Sequence, residues 1–589
     1  MPFTGKLQGP GIRLFFRAIP ALLTVAAVIV TAAPAPCQTL PVLDYTGRVG
    51  DKRPELLEQR PGATQPGITL PAPPAPPAKG LQETAVKSIF VRKITVAGST
   101  VFTPEELGKV TAPFESRALT MEDLESLRRD LTLLYVNRGY INSGAVIPDQ
   151  AVTDGMVTLQ VVEGKLSAID VEGTSKFADS YLQDRIALGA GVPLNIAPLQ
   201  DRLQLLQQDQ RIQRIQAELR PGARPGEADL QVRVEEKPPI SLWLAFNNYQ
   251  SPTIGEERGI ATLEHQNLTG HGDILSFTYG YSEGLEPLID AWYAIPVNAY
   301  DTTLQVRYRQ SDQTVVDDVF GPLDIESEEK SYELSLRHPV YRTLTQELAL
   351  SLSVEKETNE NHLLGDRFSF SPGEDNGRSK VAPLRFGQEW TYRTQRQVIA
   401  ARSRFTFGLD AFGATTHSDS DIPDGKFFAW LGQVQYARIL DFWNIQLLAR
   451  ADIQRANDPL LPIEQMGIGG RYSVRGYREN LLVTDQAFIA SLETRIPLVE
   501  NMRWADYLHF CQFVDYGKGD NVELSTPSPS EISSVGVGLR WGAALVKLPF
   551  ELRSDAEVYW GYQLRDVEDL DEGPQDDGIH YQIAITGYF

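Results

Sequence analysis

From residue 239 to Phe589 apolar and polar side chains alternate with a period of two. Leu275, Phe277, Tyr279 and Tyr281 are interleaved with Ser276, Thr278 and Gly280, and Leu304, Val306 and Tyr308 with Gln305, Arg307 and Arg309. Tyr332, Leu334 and Leu336 likewise flank Glu333 and Ser335, and Phe405, Phe407 and Leu409 flank Thr406 and Gly408. Successive strand side chains point to opposite faces, so each segment has one face suited to oil and one to water. A soluble sandwich alternates too, but its surface and core would not place Arg and Glu on the polar face so often. The repetition predicts an all-β transmembrane barrel over residues 239–589, with about 16 antiparallel strands, ending on Gly587-Tyr588-Phe589.

Upstream of Pro238-Pro239 the period changes. A strand is expected over Phe90 to Val96, and Thr103-Pro104-Glu105-Glu106 reads as a capped helix start. A second helix runs from Thr120, with Leu124, Leu127, Leu131 and Leu134 on one face, and strands follow near Ile141–Ile147 and Met156–Val162. The order then recurs: a strand at Ile169–Val171, helices at Ser180–Ala187 and Leu199–Gln208, strands at Ile215–Leu219 and Leu230–Val234. Two similar α+β units, residues 87–164 and 165–238, are therefore expected in tandem.

The apolar run Ile19 to Ala33 follows Lys6, Arg13 and Arg17 and precedes small residues, the pattern of an export signal over residues 1–37. Pro36 argues against lipidation of Cys37, and Cys511 falls in a strand, so a structural disulfide is not expected. Residues 38–86 are rich in proline and read as a tether, with room for a short helix near Pro54–Gln59. The formal net charge is −22, without a basic stripe, which excludes nucleic acid as the expected partner. His265, His271 and Asp273 could be drawn as a metal or relay cluster, but their turn-like context disfavours it. No nucleophile elbow, phosphate loop or metal-spaced set is present, so no catalytic residue, metal or cofactor is expected and the chain does not read as an enzyme.

The tandem units resemble POTRA domains, through Val96-Ala97-Gly98-Ser99-Thr100-Val101-Phe102, Leu134-Tyr135, Arg138-Gly139-Tyr140, Ile147-Pro148 and Val162-Glu163-Gly164. In the barrel, Ser473-Val474-Arg475-Gly476-Tyr477 and Phe513-Val514-Asp515-Tyr516-Gly517 complete a resemblance to two-partner secretion transporters of the haemolysin and haemagglutinin export type. The resemblance implies an outer-membrane pore whose periplasmic POTRA units recognise an unfolded exoprotein and pass it outward without nucleotide hydrolysis. It implies that Val474, Arg475, Gly476 and Tyr477 tip a long extracellular loop folded back into the lumen, facing Phe513, Asp515 and Gly517 on the wall. Arg475 to Asp515 would be a latch, and a helix within Leu40 to Arg60 would plug the resting pore. Phe589 would be the barrel insertion signal, read by the barrel assembly machinery during biogenesis in outer-membrane lipid. Two other functions share parts of this pattern: an assembly factor that inserts other barrels, and a passive diffusion or uptake channel.

Overall fold

The computed structural model describes residues 88–316, 321–546, 551–567 and 573–589. The expected export signal (1–37) and the plug and tether segment (38–86) lie outside the described residues.

In the first unit the Thr103 hydroxyl accepts from the Glu106 amide at 3.3 Å while the Glu106 carboxylate accepts from the Thr103 amide at 3.0 Å, opening the helix Pro104–Thr111. Thr120 and Asp123 repeat the device at the start of Met121–Asn137. Leu124, Leu127, Leu131 and Tyr135 form the buried stripe of that second helix. It packs on a sheet in which Lys93–Ala97 runs parallel to Met156–Val162 and Gly144–Val146 antiparallel to it. The single strand expected over Phe90 to Val96 is in fact two. Ile89–Val91 pairs with Arg117–Leu119, and Lys93–Ala97 joins the other sheet. The change of partner falls at Arg92, whose amide donates to the Gly155 carbonyl at 2.7 Å.

The second unit has the same three-stranded order, Lys165–Glu172 parallel to Glu227–Glu236 and Ile212–Pro221 antiparallel to it, with helices Asp179–Ala187 and Ile196–Gln207. One bracing device marks both units. Gly98 and Gly173 take φ of 82° and 85° after the first sheet strand, and a glutamate at the end of the last strand collects the donors of the turn that follows. Glu163 accepts from the Thr100 amide at 2.6 Å and hydroxyl at 2.5 Å. Glu236 accepts from the Phe177 amide at 2.8 Å and the Ser175 hydroxyl at 2.7 Å. Burial pushes both carboxyl pKa values up, but these donors outweigh it and hold each below the ordinary glutamate range. The units are joined by backbone bonds, Leu194 amide to Gly164 carbonyl at 2.7 Å and Ile196 amide to Gly139 carbonyl at 3.0 Å.

Sixteen antiparallel strands close into a barrel among the described residues. Ile240–Asn247 pairs with Arg258–Gln266 on one side and with the last strand, Ile579–Tyr588, on the other. The alternation sorts as expected: Phe277 is 46% exposed on the outer face while its neighbour Ser276 is 3% exposed inside. An apolar outer face with every backbone group paired around a closed ring is what a bilayer requires. Leu409 departs from the pattern, because the strand Gln397–Gly408 ends one residue before it. Ile325–Arg342 and Gln346–Leu363 have 18 residues each, longer than the roughly 9–11 that cross a bilayer, and extend past the rim.

The second unit sits on barrel turns. The Ala178 amide donates to the Gly270 carbonyl at 2.9 Å, and Arg211 donates to the Gly272 carbonyl. Asp273 belongs to that turn's own scaffold, accepting from the Thr269 amide and hydroxyl at 2.9 and 2.8 Å and from the Tyr293 hydroxyl at 3.0 Å.

Candidate functional site

Between the strands Gln446–Ala456 and Gln486–Met502, at the end of the barrel opposite the N-terminal units, residues 457–485 fold back against the inner wall. Asp485 holds the loop's two ends together, accepting from the Leu460 amide at 3.1 Å, the Gln465 side chain at 2.8 Å and the Val522 amide at 2.9 Å. Inside this clasp Met466–Ile468 pairs antiparallel with Leu482–Thr484, so the loop enters the lumen as a hairpin. Ile468, Val474, Tyr477 and Leu482 bury themselves with Ile489 and Ile532 of the wall.

Arg475 stands at the hairpin's tip. Its Nε donates to Asp515 Oδ2 at 2.7 Å, its Nη2 to Oδ1 at 2.9 Å and its own amide to Oδ2 at 3.1 Å. Nη1 donates to Glu493, and the Ser491 hydroxyl donates to Asp515 Oδ1 at 2.6 Å. The guanidinium carbon lies 3.7 Å from the centre of the Phe513 ring. Strand register builds this nest: Ser491 is opposite Asp515 and Glu493 opposite Phe513, and positions two apart share the lumenal face. Arg475 and Asp515 are 3% and 0% exposed. A forked ion pair, a second carboxylate and an aromatic face replace the water that the guanidinium has lost.

The other motif residues fit the tip to the wall. A Cβ at Gly517 would lie 2.4 Å from Ile468 Cγ2 and 2.8 Å from Val474 Cγ2, so the hairpin closes on the wall only because that position has no side chain. Gly519 meets Thr484 and Gly561 meets Gly476 in the same way, and Gly476 has φ 90°. The Tyr477 hydroxyl lies 2.9 Å from the carbonyl oxygens of both Ser533 and Arg565. Phe589 stands apart from this group. Its amide donates to the Ile240 carbonyl at 2.8 Å and its carbonyl accepts from the Ile240 amide at 3.2 Å, joining the barrel's two ends.

Sequence reasoning missed Glu493 and Ser491, although the run Ser491, Glu493, Arg495 around the outward-facing Leu492 marks them as lumenal. It also missed a group beside the tip, in which Glu557 accepts from Arg471 Nε at 2.9 Å and from the Tyr249 hydroxyl at 2.8 Å. Arg475, Asp515, Ser491 and Glu493 are bonded to one another, an arrangement that can hold or release a loop. Among the described residues no group of His, Cys, Asp or Glu is placed to hold a metal ion.

The family described as haemolysin secretion/activation protein ShlB/FhaC/HecB matches residues 226–541, more than half of the chain, and the ShlB-type POTRA domain matches residues 89–164. The outer membrane transporter CdiB of Dickeya dadantii (strain 3937) is 26% identical over 402 residues, spanning 66% of this chain and 69% of that protein. The outer membrane transporter CdiB of Escherichia coli is 25% identical over 401 residues, 67% of this chain and 66% of its own length. The solved structure of CdiB from Escherichia coli superposes with a TM-score of 0.63 at 21% identity, covering 87% of this chain and 93% of that one, a likeness of fold.

Proposed function

The chain belongs to the haemolysin secretion/activation family of two-partner secretion transporters, and from that premise we propose that it receives an unfolded exoprotein in the periplasm and passes it through the barrel to the surface. It is an outer-membrane barrel with its POTRA domain in the periplasm. The carrying observation is the hairpin 457–485 held in the lumen by Arg475 on Asp515. In this reading the contact is a latch that keeps the loop against the wall at rest, and transport begins when it gives way.

Recognition falls to the POTRA units, residues 87–164 and 165–238, ahead of a barrel over 239–589. In the first unit Gly144–Val146 is an edge strand of its sheet with Val146 exposed, a surface that supports the addition of an extended apolar segment as one more strand. The periplasm holds no ATP, so direction comes from folding of the cargo outside. Residues 38–86 supply a plug and its tether, and Phe589 directs insertion by the barrel assembly machinery.

Quantitative mass spectrometry of culture medium and outer membrane, with and without the gene, tests the proposal. Loss of one large protein from the medium with other barrels constant supports it. A joint decline of many barrels identifies an assembly factor instead, and an unchanged medium a diffusion or uptake channel.

A further inference from the structure

We infer that the lumenal hairpin has a second anchor, Glu464 on Arg385, on a different part of the wall, so that opening requires two groups of ion pairs to part. The inference rests on the reading of the hairpin as a movable element.

Glu464 closes the short 3-10 turn Pro462–Glu464 at the start of the loop. Its Oε1 accepts from Arg385 Nη2 at 2.8 Å. The other end of that guanidinium, Nη1, donates to Glu355 Oε2 at 2.5 Å, and Glu355 in turn accepts from Arg309 and from the Ser331 hydroxyl at 2.6 Å. Arg309, Glu355, Arg385 and Glu464 thus form a chain of alternating sign, each side chain 10% exposed or less. Three of its members belong to the wall strands Thr303–Thr314, Gln346–Leu363 and Pro383–Arg393. The fourth belongs to the loop. Gln397–Gly408, Phe428–Ile439 and Gln446–Ala456 stand between this wall and the strand Gln486–Met502, which helps hold Arg475. The hairpin is gripped at its tip from one side and at its root from another.

The two grips differ in what they leave behind. When Arg475 departs, buried Asp515 keeps only the Ser491 hydroxyl among the partners described above. When Glu464 departs, it carries its charge toward water and Arg385 keeps its bond to Glu355, which it then shares with Arg309, so each charge left on the wall still has a partner of opposite sign, as Asp515 does not. An uncompensated buried charge is the expensive part of breaking such a pair. The root anchor is therefore the cheaper one to release, and it parts first.

The test is single-channel recording of the purified full-length protein in planar lipid bilayers, with heat-modifiable migration as the check of folding. Glu464→Gln removes the charge of the root anchor and leaves the residues of the wall unchanged. It should raise the fraction of time open by about tenfold, and Glu464→Gln with Asp515→Asn should exceed either change alone. If Glu464→Gln is lost from the membrane, Glu464→Asp is measured in the same way. Wild-type open time in a folded variant overturns the second anchor. If that happens while the exoprotein still depends on the transporter, the transport reading stands. Raised open time in a protein whose deletion leaves the medium unchanged overturns the transport reading and leaves the anchor in place.

Discussion

Arg185 of the second N-terminal unit grips Asp301 in a periplasmic turn of the barrel, with Nε at 2.9 Å and Nη2 at 2.7 Å from the same carboxylate oxygen. Nη2 also donates to the Asn298 carbonyl at 3.1 Å, and the other oxygen of Asp301 holds Arg342 at 2.6 Å. The guanidinium carbon lies 3.5 Å from the centre of the Tyr181 ring. Arg185→Ala leaves Asp301 paired with Arg342, so the junction should weaken by only about 1–3 kcal/mol. Hydrogen exchange over residues 179–187 should quicken while that of the lumenal hairpin stays unchanged.

Arg475→Ala or Asp515→Ala should sharply reduce export while the barrel remains inserted, since stranding one partner of the buried pair, at a cost of about 3–5 kcal/mol, leaves the hairpin without the defined resting position from which transport starts. Arg475→Lys should resemble the alanine variant, because an ammonium cannot fork onto Asp515 and reach Glu493 together. Secretion assays set beside heat-modifiable barrel yield decide this. Export at wild-type rates from both alanine variants would remove the latch from the mechanism.

Gly517→Ala places a methyl against Ile468 and Val474, both fully buried. Overpacking of this kind costs about 1–3 kcal/mol and falls on the closed hairpin alone. Channel open time should rise with normal barrel yield, and an unchanged open time would mean that the hairpin does not close against this strand.

Glu163 and Glu236 give the two N-terminal units a defined acid response. Both carboxyls are held below their ordinary range, so their bracing is fully present above about pH 4.3 and is lost as pH falls toward the lowered folded values. Exchange at residues 99–102 and 174–177 should accelerate on that descent. Glu163→Gln should abolish the pH dependence of the first turn and leave that of the second.

Deletion of Phe589 removes the two backbone bonds to Ile240 and the terminal aromatic. Less heat-modifiable barrel should reach the outer membrane, and equal amounts would show that insertion does not depend on this residue.

Local periodicity made most of this fold legible. The alternation of Leu275 through Tyr281 and the capping pair Thr103 and Glu106 are consequences of strand and helix geometry within a few residues. The strand break at Arg92 was not visible, because both halves have strand-like composition and only their partners differ. Long-range pairing inside the lumen was hidden for a related reason. Arg471 meets Glu557 across 86 positions and Arg385 meets Glu464 across 79, and no period of two or 3.6 encodes such separations. Arg475 and Asp515 were legible only through the resemblance of their motifs. As a bare sequence, Arg475 reads as a solvated loop arginine.

The glycines that receive the hairpin have an effect once it lifts away. A hairpin that lifted away would uncover backbone at Gly517, Gly519 and Gly561, where Val474, Thr484 and Gly476 had rested. A polypeptide passing there would meet, at those three positions, backbone without a side chain to stack against. The same absence of side chains that seats the loop closely when shut would lower the obstruction at those positions when open.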